Sequence, residues 1–188
     1  MRALLNLIFI LLISLPLICS WRSFKILMTR FDYEANPKFI DVKIELKNTS
    51  DTSMNVVLNT YETVDNLELS ATVGLLTDKG NYMTFMNRTT NFCKLLKHLG
   101  SDPLVRVVWQ DLVRHGKMFK ECPIIKGQYT LQDYRVDEEL LPSFLPETSF
   151  KFSLGLNTSK HELIFNGVLY GRVDKSKGFN NLKSFSLG

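Results

Sequence analysis

The sequence predicts a mainly β, antiparallel domain of the sandwich type, carrying one helical insertion at about residues 91–116. Three observations carry this. Apolar and polar residues alternate with period two in several stretches before residue 87 and again after residue 149, which marks half-buried strands. Between those stretches the apolar period changes once, to about 3.6. No Pro- or Gly-rich linker interrupts the series, so residues 21–173 are expected to form a single domain.

Phe31 and Tyr33 alternate with Asp32 and Glu34 in an early strand or turn. Ile40, Val42, Ile44 and Leu46 then alternate with Asp41, Lys43, Glu45 and Lys47, which predicts a strand with one dry and one wet face. The turn residues Asn48-Thr49-Ser50-Asp51 lead into a second strand through Met54, Val56, Leu58 and Tyr61. Leu67, Leu69, Ala71, Val73 and Leu75 repeat the period, and Asp78-Lys79-Gly80 turns the chain into a strand from Tyr82 to Met86. Sequential antiparallel pairing is the simplest arrangement of these strands.

Phe92, Leu95, Leu96 and Leu99 fall at i, i+3, i+4 and i+7, the spacing of one helix face. Gly100 is the expected stop. Ser101 or Asp102 can cap a second helix with Pro103 near its first turn; Leu104, Val107, Val108 and Leu112 form its apolar stripe, and His115-Gly116 ends it. Gly127-x-Tyr129 reads as a turn. Alternation returns at Phe150, Phe152, Leu154 and Leu156, and the Asn157–Lys160 turn leads into Leu163, Phe165, Leu169 and Val173, giving a terminal hairpin. The Lys, Ser, Asn and Gly content of residues 174–188 predicts a loosely ordered tail.

Residues 1–20 read as a signal peptide. Arg2 precedes an apolar run from Leu4 to Ile18 that is broken by Asn6, Ser14 and Pro16, too short and interrupted for a spanning helix of about 20 apolar residues. Cleavage after Ser20 removes Cys19 and leaves two of the three cysteines, and two cysteines in an oxidising compartment pair. Cys93–Cys122 is therefore the expected disulfide, contributing on the order of 3 to 4 kcal/mol in a chain-entropy treatment. Sequons at Asn48, Asn87 and Asn157 fall where strand patterns end and suit glycosylation in a secreted, extracellular protein.

Several function classes lack their residues. A formal charge of +4, with no basic stripe interleaved by aromatics, gives no case for nucleic acid. No G-x-S-x-G elbow, no Cys-x-x-Cys pair and no facing carboxylates occur, so esterase, zinc and glycosidase chemistry are not expected, nor is a cofactor. His98 is expected to face water beside Lys94 and Lys97, His115 to end a helix, and His161 to follow a turn. What remains is apolar: with 13 Phe, 6 Tyr and 2 Trp, the chain has material for a ligand pocket. Phe92, Leu96, Trp109, Phe150, Phe152, Leu154 and Phe165 are candidates to line it, or else to pack an ordinary core. Lys94, Lys97, Arg106, Arg114, Lys117 and Lys120 stand against Asp102 and Asp111 in the insertion, either to steer an anionic headgroup or membrane surface or simply as a solvated face.

The stretch from Phe92 to Pro146 strings FCKLL, DPLV, ECP, GQY and LPSFLP into one ordered series. In that order the motifs resemble an insect family of small secreted proteins that includes the CheB-type chemosensory proteins, itself similar to the ML lipid-recognition and ganglioside-activator proteins. The resemblance covers about residues 24 to 173. It implies an open β-cup in place of a filled sandwich, a lipid or other hydrophobic small molecule as ligand, and a setting in chemosensory or reproductive secretions. The helices and the Leu141, Pro142, Leu145, Pro146 turn would then gate entry. One departure is that family members place a glycine shortly after this turn, where this chain has Glu147-Thr148-Ser149. The rival expectation is an extracellular structural protein whose filled sandwich binds a receptor or secreted partner.

Overall fold

The computed structural model describes residues 24–47, 52–101, 103–142 and 145–175. The expected signal peptide, Asn48, the Asp102 cap and all of the tail beyond residue 175 lie outside these residues. Eight strands and two α-helices follow in the order β1 (Lys25–Ala35), β2 (Ile40–Lys47), β3 (Ser53–Thr60), β4 (Glu68–Leu76), β5 (Tyr82–Asn91), α1 (Phe92–Lys97), α2 (Pro103–Arg114), β6 (Gly127–Tyr134), β7 (Ser149–Asn157) and β8 (Leu163–Asp174). Short 3₁₀ turns at Leu99–Ser101 and Glu138–Leu140 complete the described elements.

The strands form two antiparallel sheets, one of five strands in the order β1-β8-β7-β4-β5 and one of three in the order β2-β3-β6. The hairpins expected at β2–β3, β4–β5 and β7–β8 are present. Sequential pairing does not extend beyond them, because β3 and β4 belong to different sheets and β4 pairs with β7, far along the chain. Gly127-x-Tyr129, expected as a turn, instead opens β6. Tyr129 and Leu131 point inward there, opposite Leu58 and Val56. The alternation is short because Asp133 interrupts it at a positive φ of 46° beside a register shift. β5 runs on to Asn91, so Asn87 lies within a strand and not at its end.

The inward alternation of β2 packs Ile40 into the larger core cluster with Phe39, Val64, Leu67, Phe92, Leu96, Ile124, Tyr129, Ile164 and Phe165. That cluster closes one end of the sandwich. A smaller one, Phe24, Ile26 and Val173 with Val136, Leu141, Leu145 and Phe150 against it, holds the other. At the β1 side the sheets are tied by the Tyr33 hydroxyl, which donates to the Val42 carbonyl at 3.2 Å.

Across the opposite side run the helices. Asn91 caps α1 by accepting the Lys94 N–H at 2.9 Å, and Phe92 meets Trp109 of α2 and Phe119 edge-on at 5.9 and 5.5 Å. Phe119 in turn meets Tyr129, so one aromatic chain joins the helices to β6. The expected disulfide is present, with Cys93 in α1 and Cys122 in the loop before β6, their Cα atoms 5.6 Å apart. After α2 the backbone lies along β6: Thr130 N–H donates to the Lys117 carbonyl and Gln132 N–H to the His115 carbonyl, each at 2.9 Å. This covers an edge that would otherwise be open.

Candidate functional site

Opposed residues of neighbouring antiparallel strands share a face, so the register defines the inner wall of the large sheet. Its rows are Leu69–Leu156–Phe165, Ala71–Leu154–Gly167, Val73–Phe152–Leu169 and Leu75–Phe150–Gly171 across β4, β7 and β8. Leu69, Leu154 and Leu156 pack against the larger core, which fixes this face as the interior.

Burial changes steadily across that wall. On β8 every inward residue from Phe165 to Val173 is buried. On β7 all nine residues are only half-buried, as are eight of the nine residues of β4, Gly74 being the exception. On β5 residues 82–89 are exposed without a break. In a filled sandwich the inward residues of the central strands β7 and β4 would be the most buried of all. Here the inward residues Ala71, Val73, Leu75, Phe152 and Leu154 are only half-buried, an apolar wall that the rest of the described protein does not fully cover. Val42, Ile44 and Leu58 of the small sheet are likewise half-buried, against the larger core.

β8 stays buried through its glycines. A Cβ on Gly167 would fall 2.8 Å from the rings of both Phe165 and Phe31, and one on Gly171 would fall 2.5 Å from the Phe150 ring. The rings therefore lie directly over the β8 backbone.

The seven residues expected to line a pocket divide three ways. Phe92, Leu96 and Phe165 are buried within the larger core. Trp109 and Leu154 are half-buried against that core, and Phe150 against the smaller one. Phe152 is half-buried in the middle of the wall and belongs to neither cluster. Ala71, Val73 and Leu75 were not singled out, although their alternation was visible. Two concavities lie elsewhere: one of about 210 Å³ between Lys25, Thr52, Arg135 and Glu138, the other of about 430 Å³ along Glu45, Lys47, Asn55, Val57 and Gln132. None of the seven residues lines either.

Charge is sorted by position. The six cations of the insertion are all exposed, while Asp111 is buried. Asp111 Oδ1 lies 3.6 Å from His115 Nδ1, which sits 2.9 Å from the Asp111 carbonyl; Oδ2 has no hydrogen-bond partner among the described residues. His115 is set edge-on to Tyr134 at 5.4 Å. Burial, with the charges of Asp111 and Asp137, pushes the Tyr134 hydroxyl above its ordinary range. On the outer side, the Ser53 hydroxyl donates to Asp133 at 2.7 Å; with Arg135 and Lys47 it holds that carboxyl below the usual range. Asp65 Oδ1 lies 3.3 Å from Cys93 Sγ, but both cysteines of that cluster are committed to the disulfide. His98 and His161 are exposed, and His161 occupies a turn at φ 62°.

Comparison with known proteins adds the following. Residues 66–152 match a family model described as "Protein of unknown function (DUF1091)". No curated protein matches the chain. Among solved structures, the chain is similar to chicken MD-1, in a crystal structure complexed with lipid IVa, at 11% identity over 79% of this chain and 96% of that one, with a TM-score of 0.36. It is also similar to a Niemann-Pick type C2 protein from the Japanese carpenter ant, at 17% identity over 76% of this chain and 97% of the other, again with a TM-score of 0.36.

Proposed function

We propose that this chain is a secreted binding protein for a lipid or another hydrophobic small molecule, held in the cleft between the two sheets. The observation that carries the reading is β7: a central strand whose nine residues are all half-buried, with Phe150, Phe152, Leu154 and Leu156 directed inward. Apolar wall left uncovered by protein gains roughly 25 cal/mol for each Å² that a ligand removes from water. No covalent step is needed. Phe152, Leu154 and Trp109 are the contacting residues in this proposal, with Phe92, Leu96 and Phe165 as the packed floor and Phe150 toward the far end. Secretion is supported by the sequence of residues 1–20 and by the disulfide. Among the described residues no helix is long and apolar enough to cross a membrane. A receptor-binding sandwich with a filled interior would not leave the inward residues of β7 and β4 half-buried.

The test is native mass spectrometry of protein secreted from a eukaryotic host, followed by organic extraction and binding of fluorescent acyl probes to the stripped protein. A stoichiometric lipid or hydrocarbon released on unfolding is the expected result. Protein that emerges clean and also refuses the probes overturns the proposal.

A further inference from the structure

The inner faces of both sheets are built almost without charge. Across the eight strands, the paired positions that face inward carry apolar residues, glycine or threonine, with one exception. Charged strand residues such as Asp32, Lys43, Glu45, Glu68, Lys151 and Arg172 alternate onto the outer faces. The exception is Arg88 of β5. It stands opposite Ala71, which pairs on its other side with Leu154, so the arginine shares the face of the uncovered wall.

Its setting suits an anion at the end of an apolar chain. Neighbouring strands lie about 4.8 Å apart, so the long arginine stem can cross Ala71, the smallest inward residue of β4, with its guanidinium over the wall. Thr90 lies on the same face two residues further along, opposite Leu69, and is half-buried where Arg88 is exposed. The pair offers a guanidinium and a hydroxyl to one side of the wall. A charge directed onto an apolar face needs water or an opposite charge at its head. On β5, the edge strand of the large sheet, the head of Arg88 reaches water. It also stands where the polar end of an amphiphile lying along Phe152, Leu154 and Ala71 would emerge.

We infer that Arg88, with the Thr90 hydroxyl beside it, is the headgroup site of the bound molecule, and that this molecule is an acyl amphiphile with an acidic head, a carboxylate or a phosphate monoester. A guanidinium meets either group with two parallel hydrogen bonds, which a hydroxyl or ester head cannot accept in the same way. The inference rests on the hydrophobic-ligand reading above and names the chemistry of its polar end.

The experiment is displacement of a neutral fluorescent acyl probe from the stripped, secreted protein by palmitate, lysophosphatidic acid, hexadecanol and methyl palmitate. The acids are expected to displace it at concentrations roughly 10- to 100-fold below those of the alcohol and the ester, the range of a hydrogen bond to a charged group. Arg88→Gln should bring the acids to the level of hexadecanol, in protein whose urea midpoint matches the wild type, and Thr90→Val should shrink their advantage in part. Arg88→Gln leaves Asn87 and Thr89 of the sequon in place, so glycosylation is held constant. Dependence on Arg88 for palmitate alone, or for lysophosphatidic acid alone, supports the inference and fixes the head as carboxylate or phosphate. Equal displacement by acids and hexadecanol, or an Arg88→Gln variant that weakens all four alike, overturns the inference and leaves the hydrophobic-ligand reading standing. Failure of the probe and of every amphiphile to bind overturns both.

Discussion

Gly116 lies against the backbone of Thr130 so closely that a Cβ built on it would fall 1.9 Å from the Thr130 carbonyl oxygen. The contact exists because the segment after α2 is hydrogen-bonded along β6, and the atoms it meets belong to a strand that cannot swing aside. Gly116→Ala is therefore expected to destabilise the fold by roughly 2 to 3 kcal/mol through overpacking. Urea denaturation of the two proteins measures it. An unchanged midpoint would mean that residues 115–117 do not seat on β6.

Phe152 and Phe92 should respond differently to truncation. Phe92 is 6% exposed at the centre of the aromatic chain, so Phe92→Ala should cost roughly 3 to 5 kcal/mol of stability. Phe152, half-buried on the cleft wall, should lose little stability as Ala and lose acyl-probe affinity instead. Paired denaturation and probe titrations decide this, and equal stability losses would place Phe152 in the core.

Asp111 keeps a buried carboxylate oxygen without a hydrogen-bond partner among the described residues. An unsatisfied buried polar group costs about 1 to 3 kcal/mol. Asp111→Leu is accordingly expected to raise the unfolding midpoint by about 1 to 2 kcal/mol in stability terms. A loss of stability on that substitution would show that His115 and Asp111 form a pair worth more than the burial costs.

Tyr134 gives an alkaline signature. Its hydroxyl keeps its proton in the folded state above the pH at which an unfolded tyrosine loses it, near 10. The unfolded state then binds fewer protons than the native one, so stability is complete below about pH 10 and falls as pH rises beyond it. Tyr134→Phe should reduce that fall. Stability measured from pH 8 to 11.5 tests it, and identical slopes in the two proteins would refute the assignment.

Much of the fold was legible because its signals are local. Ile40 to Lys47, Leu67 to Leu75 and Phe150 to Leu156 announce their two faces by period, and Phe92 to Leu99 announces the helix in the same way. The pairing of Cys93 with Cys122 followed from having only two cysteines left. β6 was missed because its apolar period is two residues long, Tyr129 and Leu131, before Asp133 breaks it. Of the candidate site, the inward period of Phe152 and Leu154 was legible, but nothing local separated these half-buried residues from Phe92 and Phe165, which the fold buries.

The sequence by itself determined which residues face inward on the strands it announced, β6 excepted, where the helices interrupt the sheets and which cysteines join. Each is a property of neighbours within a few residues, written in period, capping and count. Only the tertiary structure decided that β3 and β4 part into different sheets, that β4 pairs with β7, and that burial falls from β8 through β7 and β4 to β5. The physical reason is that strand partnership and the angle between sheets depend on contacts between residues far apart in the chain. Phe31 lying over Gly167 and Gly116 seating on Thr130 are two such contacts, and neither leaves a pattern along the sequence.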